Sequence, residues 1–208
     1  AESWRRGRVF VAGDAAPLTP PFMGQGMCAG IRDAANLAWK LARAVQGKSD
    51  LLDSYATEGI PHVRHYITTA VRLGAVITAM DRDMARDLSA QQAGGGPRMA
   101  SQIPRLGPGG AMALDPDLIA QSGVLFGQPT LSDGRRMDDV VGYAPVLVSR
   151  APMEMPGIAA LNGAHDPSVL DHLDVIGAEA ALIRPDRYVW ASVAKRGDVA
   201  PLLAIAPP

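Results

Sequence analysis

The chain has 208 residues, 48% of them apolar and 20% charged, with a formal net charge of −1. This is enough apolar material for a sizeable core, and the charge balance gives no case for nucleic acid or an anionic membrane as partner. No apolar run is long enough to span a bilayer and no signal-peptide pattern is present, while a single cysteine, Cys28, excludes an internal disulfide and fits a reducing cytoplasm.

The first element is a β-rich run, Val9-Phe10-Val11, between Gly7 and Gly13. It reads as a buried strand of the parallel type over Arg8–Ala12. Gly13 permits a tight turn. Asp14 then falls at the carboxyl end of the strand, where open α/β sheets bind ligands, with a carboxylate able to accept from hydroxyl groups. Pro17, Pro20 and Pro21 stiffen the following loop, and Gly24 and Gly26 leave its backbone open.

From about Met27 the spacing predicts a helix. Ile31, Ala34, Ala35, Ala38, Leu41, Ala42 and Val45 recur at intervals of three and four and define its expected apolar face, with Gly47 as the C-terminal cap. A helix that starts in a glycine loop offers unpaired N–H groups and a positive dipole end to an anion. Gly24-Gln25-Gly26-Met27-Cys28-Ala29 also fits the short dinucleotide pattern Gly-x-Gly-x-x-Gly/Ala. Its context is wrong, because it follows a Pro-Pro-Phe-Met loop instead of a strand and no acidic residue ends a second strand about twenty positions on.

Taken together, Gly13-Asp14-Ala15-Ala16, Pro20-Pro21, Gly24-Gln25-Gly26-Met27, Gly30-Ile31-Arg32-Asp33-Ala34 and Asn36-Leu37-Ala38-Trp39-Lys40-Leu41 resemble the second FAD motif of the class A flavoprotein aromatic hydroxylases. The nearest branch holds the phenol and 3-(3-hydroxyphenyl)propionate hydroxylases. Leu51-Leu52-Asp53-Ser54-Tyr55, Pro61-His62 and Arg184-Pro185-Asp186-Arg187-Tyr188-Val189 are similar to the family as well. The resemblance is strong over residues 7–66 and looser after 110. It implies that Gly13 and Asp14 meet the ribityl chain of FAD, that Pro21 lies beside the isoalloxazine ring, and that the backbone of Gly24, Gln25, Gly26, Met27 and Cys28 faces the pyrimidine edge of the flavin. It further implies NAD(P)H as co-substrate, a small phenolic substrate and oxygen transfer through a flavin C4a-hydroperoxide. No catalytic acid or base is named by it. The chain departs from the family pattern at Pro17, at Cys28 and at Glu58-Gly59-Ile60-Pro61.

The Gly-rich ADP-binding unit with which such enzymes begin has no counterpart here, since Gly94-Gly95-Gly96 and Gly107-Pro108-Gly109-Gly110 lack flanking strands. The expectation is therefore the C-terminal portion of a longer protein, with the missing N-terminal portion as its partner and homodimerisation left open. The competing reading is a noncatalytic interaction or assembly module that retains half a flavin site.

Further along, Ser49 is placed to cap a helix from Asp50, Pro61 to break or kink it, and His62–Arg86 to continue helically on a stripe that includes Val63, Ile67, Ala70 and Val71. Residues 89–112 read as a linker. Residues 113–208 read as a small α/β domain with strands at Ala144–Ser149, Ala180–Ile183 and Tyr188–Ala191, and a helix opened by Asp166-Pro167. The family carries a thioredoxin-like domain at this point, and the absence of Cys-x-x-Cys excludes dithiol chemistry. The fold class expected is α/β: the C-terminal part of an FAD-binding domain with long helices over residues 1–88, then the thioredoxin-like domain. Arg184, Asp186 and Arg187 are expected on an exposed turn. His62, His65, His165 and His172 are too scattered for a metal site.

Overall fold

A computed structural model describes residues 1, 3–20, 24–79, 103–107, 109, 111 and 114–205, with only the backbone described at 73 and 75–79. The chain opens with a two-stranded antiparallel hairpin, β1 (Arg5–Arg6) and β2 (Val9–Phe10), turned at Gly7 with φ +62°. This replaces the expected buried parallel strand. Val9 is 68% exposed, and β2 pairs along the chain with β1, so the run lacks the two covered faces that a parallel strand needs. A short 3-10 turn, Gly13–Ala15, follows.

Two long helices come next. Helix α1 (Gly26–Val45) ends at Gly47, whose φ of +86° admits the left-handed cap; Gly47 N–H donates to the Ala44 carbonyl and Lys48 N–H to that of Arg43. Helix α2 (Ser54–Ala79) begins four residues later than expected, because Asp50–Asp53 form a turn closed by Leu52 N–H on the Ser49 carbonyl. Pro61 does not end α2. Beside it, the segment 103–107 packs so closely that a Cβ on Gly107 would meet the Thr57 carbonyl oxygen at 2.2 Å. Gly107 N–H donates to the Glu58 carbonyl at 2.8 Å, next to the Thr57 carbonyl whose helical donor the proline removes.

The remaining elements are α3 (Met137–Val141), β3 (Val146–Ser149), β4 (Ala159–Asn162), α4 (Ser168–Val175), β5 (Ala178–Ile183), β6 (Val189–Ala194) and α5 (Ala200–Ala204). The sheet order is β4-β3-β5-β6, with β3 parallel to β4 and antiparallel to β5, and β5 antiparallel to β6. Strand β4 and helices α3 and α5 are additions to the sequence reading. One face of the sheet packs Val146, Val148, Ala181 and Ile183 against Val169 and Leu173 of α4. The other packs Leu147, Leu182 and Ala191 against Leu202 and also against Trp39 of α1 and Leu51. The two parts of the chain therefore share a core.

Candidate functional site

The Gly13–Ala15 turn lies across the first turns of α1. Gly30 of α1 is so near that a Cβ there would touch the Gly13 Cα at 3.6 Å. Asp33, 7% exposed, accepts the Gly13 N–H on Oδ2 at 2.8 Å. Burial pushes the Asp33 carboxyl up, and the Gly13 amide pulls it back toward ionisation. From α2, the Tyr55 hydroxyl donates to the Val11 carbonyl at 2.9 Å, two residues before the turn. The turn is thus fixed from both helices, at φ +57° for Gly13, and Asp14 is exposed on it.

Gly24, also exposed, adopts φ +61°, and Gln25 accepts weakly from Arg32 Nη2 at 3.5 Å. Gly26 starts α1 where a Cβ would meet Thr19 Oγ1 at 2.7 Å, so a larger residue would displace that side chain of the crossing loop. Helix geometry leaves the Gly26, Met27 and Cys28 amides without intrahelical acceptors. Met27 is 75% exposed and Cys28 half-buried. The structure therefore brings the Gly13-Asp14 turn to the amide end of α1. Of the residues expected in the site, Pro21 lies outside the described residues. The donor set suits a flavin: an exposed carboxylate for hydroxyl groups, and free amides for a carbonyl edge that gains negative charge on reduction.

The buried face of α1 is not the one that apolar spacing predicted. Ile31 is 62% and Val45 88% exposed, whereas Asp33, Asn36, Leu37 and Lys40 are buried. A polar network explains the reversal. Lys40 Nζ donates to Glu58 Oε2 at 2.7 Å and to Asn36 Oδ1 at 2.9 Å, and Asn36 Nδ2 donates to Glu58 Oε2 at 2.9 Å and Asp186 Oδ2 at 3.1 Å. Arg184 donates from Nη2 to Glu58 at 2.9 Å and Asp186 at 2.6 Å, and from Nε to Asp186 at 2.9 Å. Its guanidinium lies 5.0 Å from the Trp39 ring centre. Burial opposes the charge on Glu58, but Arg184 and Lys40 outweigh it and hold its carboxyl at about 2. Burial lowers Lys40 to about 8 against the pull of Glu58. The expected exposed turn is corrected here: Arg184 and Asp186 are 2% and 6% exposed, because their charges find partners 126 and 150 residues away. The legible signal was the spacing of Asp33, Asn36 and Lys40 on one helical face.

His62 is buried, with Nδ1 at 3.3 Å from the Arg105 carbonyl, and burial lowers its pKa. His65, three residues on along α2 and on a neighbouring part of the same face, is exposed. Among the described residues no cluster of three metal-ligating side chains occurs and no helix is long and apolar enough to cross a membrane.

Residues 1–70 match the FAD binding domain family. The chain is 42% identical over 161 residues to a probable NADH-specific resorcinol 4-hydroxylase of Rhodococcus jostii, covering 75% of this chain and 29% of that protein. It is 34% identical over 205 residues to a 3-(3-hydroxy-phenyl)propionate/3-hydroxycinnamic acid hydroxylase of a Mycobacterium species, covering 89% of this chain and 34% of that protein. Among solved structures, aklavinone-11 hydroxylase in complex with FAD and aklavinone shares the fold, with a TM-score of 0.64 at 23% identity over 97% of this chain and 43% of that one. The rebeccamycin biosynthetic enzyme RebC with reduced flavin does so with a TM-score of 0.68 at 21% identity, over 97% of this chain and 45% of that one. Over most of its length the chain is similar to these curated hydroxylases, and it spans about a third of the length of the curated relatives it matches.

Proposed function

We propose that this chain forms the flavin-facing part of an FAD-dependent monooxygenase that hydroxylates a phenolic ring with NAD(P)H and molecular oxygen in the cytoplasm. The observation that carries the reading is the Gly13-Asp14 turn, held by Asp33 and Tyr55 against the amide end of α1. When bound, FAD supplies the electron transfer and oxygen activation. The protein's share is placement. Asp14 accepts from ribityl hydroxyls, and the Gly26–Cys28 amides face the pyrimidine edge, where fixed dipoles stabilise reduced flavin without reorganising. The names of the two hydroxylases above support a resorcinol-like or 3-hydroxyphenyl acid substrate. The strand order β4-β3-β5-β6 supports a thioredoxin-like reading of residues 113–208, joined through 89–112 to the flavin-binding part.

The rest of the flavin site would come from an ADP-binding portion with no counterpart in this chain. The exposed stripe Met27, Ile31, Leu41 and Val45 on α1 gives that portion a surface to cover. The 208 residues alone are then expected to hold FAD weakly, and stoichiometric yellow protein after desalting would contradict this. In the complete protein, Asp14→Ala should weaken FAD binding roughly tenfold to a hundredfold, as for loss of hydrogen bonds worth about 1–3 kcal/mol. Flavin titration by fluorescence quenching, with NADH oxidation and hydroxylated product followed on resorcinol and 3-hydroxyphenyl acids, tests the reading. An unchanged dissociation constant for Asp14→Ala would remove its central residue.

A further inference from the structure

The network around Glu58 connects two places that the flavin reading leaves separate. Each long helix carries two rungs of contacts. On the first rung, Asp33 of α1 holds the Gly13 amide and Tyr55 of α2 holds the Val11 carbonyl. On the second, three residues further along each helix and so about 4.5 Å on, Asn36 and Glu58 receive the Arg184-Pro185-Asp186 turn from between β5 and β6. Lys40, one turn beyond Asn36, completes this rung on Glu58.

The rotation of α1 about its own axis is what the second rung decides. Burial of apolar surface does not fix this rotation alone: it buries Leu37 and Trp39 but leaves Met27, Ile31 and Val45 75%, 62% and 88% exposed. Asn36 and Lys40 face inward because two anions and one cation on other elements meet them there, and all of these side chains are buried. A buried, fully partnered set of charges penalises any other orientation, since a rotated helix would take Lys40 and Asn36 away and leave two buried carboxylates, Glu58 and Asp186, sharing the single cation of Arg184.

We propose that the Arg184-Pro185-Asp186 turn is a positioning element for the Gly13-Asp14 turn: by fixing the rotation of α1 it places Asp33 under the Gly13 amide. The consequence for flavin binding rests on the function proposed above, whereas the positioning itself does not.

The test uses the 208-residue chain, with amide exchange at Gly13 followed by NMR against the amides of β5. Asp186→Asn keeps the volume and accepts from Arg184 through one oxygen, but loses the charge that Asn36 and Arg184 meet. Arg184→Met keeps the stem and removes the guanidinium. Each should raise the ratio of Gly13 to β5 exchange at least about tenfold, the equivalent of one charge-assisted hydrogen bond. Leu173→Ala opens a cavity on the far face of the sheet and should leave the ratio of Gly13 to β5 exchange as in the wild type. If Arg184→Met does not fold, Asp186→Asn carries the test. An unchanged Gly13 to β5 ratio in Asp186→Asn, or an equal rise in that ratio in Leu173→Ala, would overturn the proposal. FAD titration of the complete protein in parallel separates the two ideas. Absent flavin binding in the wild type defeats the functional reading and leaves the exchange result standing.

Discussion

Glu58 is the residue on which the buried polar groups converge. Lys40, Asn36 and Arg184 all donate to its Oε2. Its folded pKa of about 2 lies below the ordinary 4.5, so the folded state binds fewer protons than the unfolded one between those values. The stability it contributes is present above pH 4.5 and is lost as pH falls toward 2. Chemical denaturation at steps from pH 6 to pH 3 should show that limb in the wild type and a flatter one in Glu58→Gln. His62 acts earlier. Burial lowers its pKa, so as pH falls below 6.5 the unfolded chain takes up a proton before the folded one does. His62→Gln should accordingly lose less stability than the wild type between pH 6.5 and 5. At this scale, sequence reasoning found the residues with backbone duties. Gly13, Gly24 and Gly26 are legible because positive φ or close approach leaves glycine few substitutes. It missed Asn36, Lys40, Glu58 and Arg184, whose roles depend on partners far along the chain that local spacing cannot supply.

Among the elements, α1 shows where periodicity misleads. The helix itself and its Gly47 cap follow from local chemistry, but apolar spacing selected Ile31, Leu41 and Val45 as its inner face, and the polar network turned them outward. Helix α2 shows the converse. Its Glu58-Gly59-Ile60-Pro61 stretch departs from the family pattern, and the fold supplies a reason for Gly59: a Cβ there would meet the Trp4 ring at 2.3 Å. Trp4 is 3% exposed, packs 5.5 Å from Tyr55 ring to ring, and anchors the opening hairpin. Gly59→Ala gains helix propensity of about 1 kcal/mol, but displaces an aromatic ring that has little room to move, at a cost of about 1–3 kcal/mol. The expected net result is a lower melting temperature, with loss of the Trp4 near-ultraviolet dichroism; a rise in melting temperature would show that the indole moves freely. The β4 strand escaped the sequence reading because Ala159 and Ala160 are exposed and only Leu161 of its residues is buried, which gives too weak an alternation to identify.

Across the whole molecule, the two long helices and the four-stranded sheet are joined by apolar and ionic contacts together. Trp39 and Leu51 enter the sheet's core, and Lys40, Glu58, Arg184 and Asp186 form a buried set of two cations and two anions. Shared burial of this kind predicts one cooperative transition for α1, α2 and the sheet. The alkaline side of the stability curve offers a sharper check. Lys40 has a folded pKa of about 8 against 10.5 unfolded, because burial penalises its charge more than Glu58 restores it. Between those values the unfolded chain holds the proton that the folded one has released, so stability rises with pH, by on the order of 2 kcal/mol between pH 8 and 10. Above pH 10 the sign reverses. The folded state keeps Tyr55 and Tyr188 neutral by burying them, and the unfolded chain gives up those protons first. Lys40→Met fills the same space without a charge. It is expected to lower stability at pH 7, because Glu58 loses a partner, by about 3–5 kcal/mol if nothing relaxes around it. It should also abolish the rise from pH 8 to 10 while leaving the fall above pH 10. Urea melts monitored by tryptophan fluorescence, from Trp4, Trp39 and Trp190 together, and by far-ultraviolet dichroism read both effects. Coincident curves with an alkaline rise unique to the wild type would tie the helices and the sheet to one ionic centre, whereas a Lys40→Met profile parallel to the wild type would place the titration elsewhere.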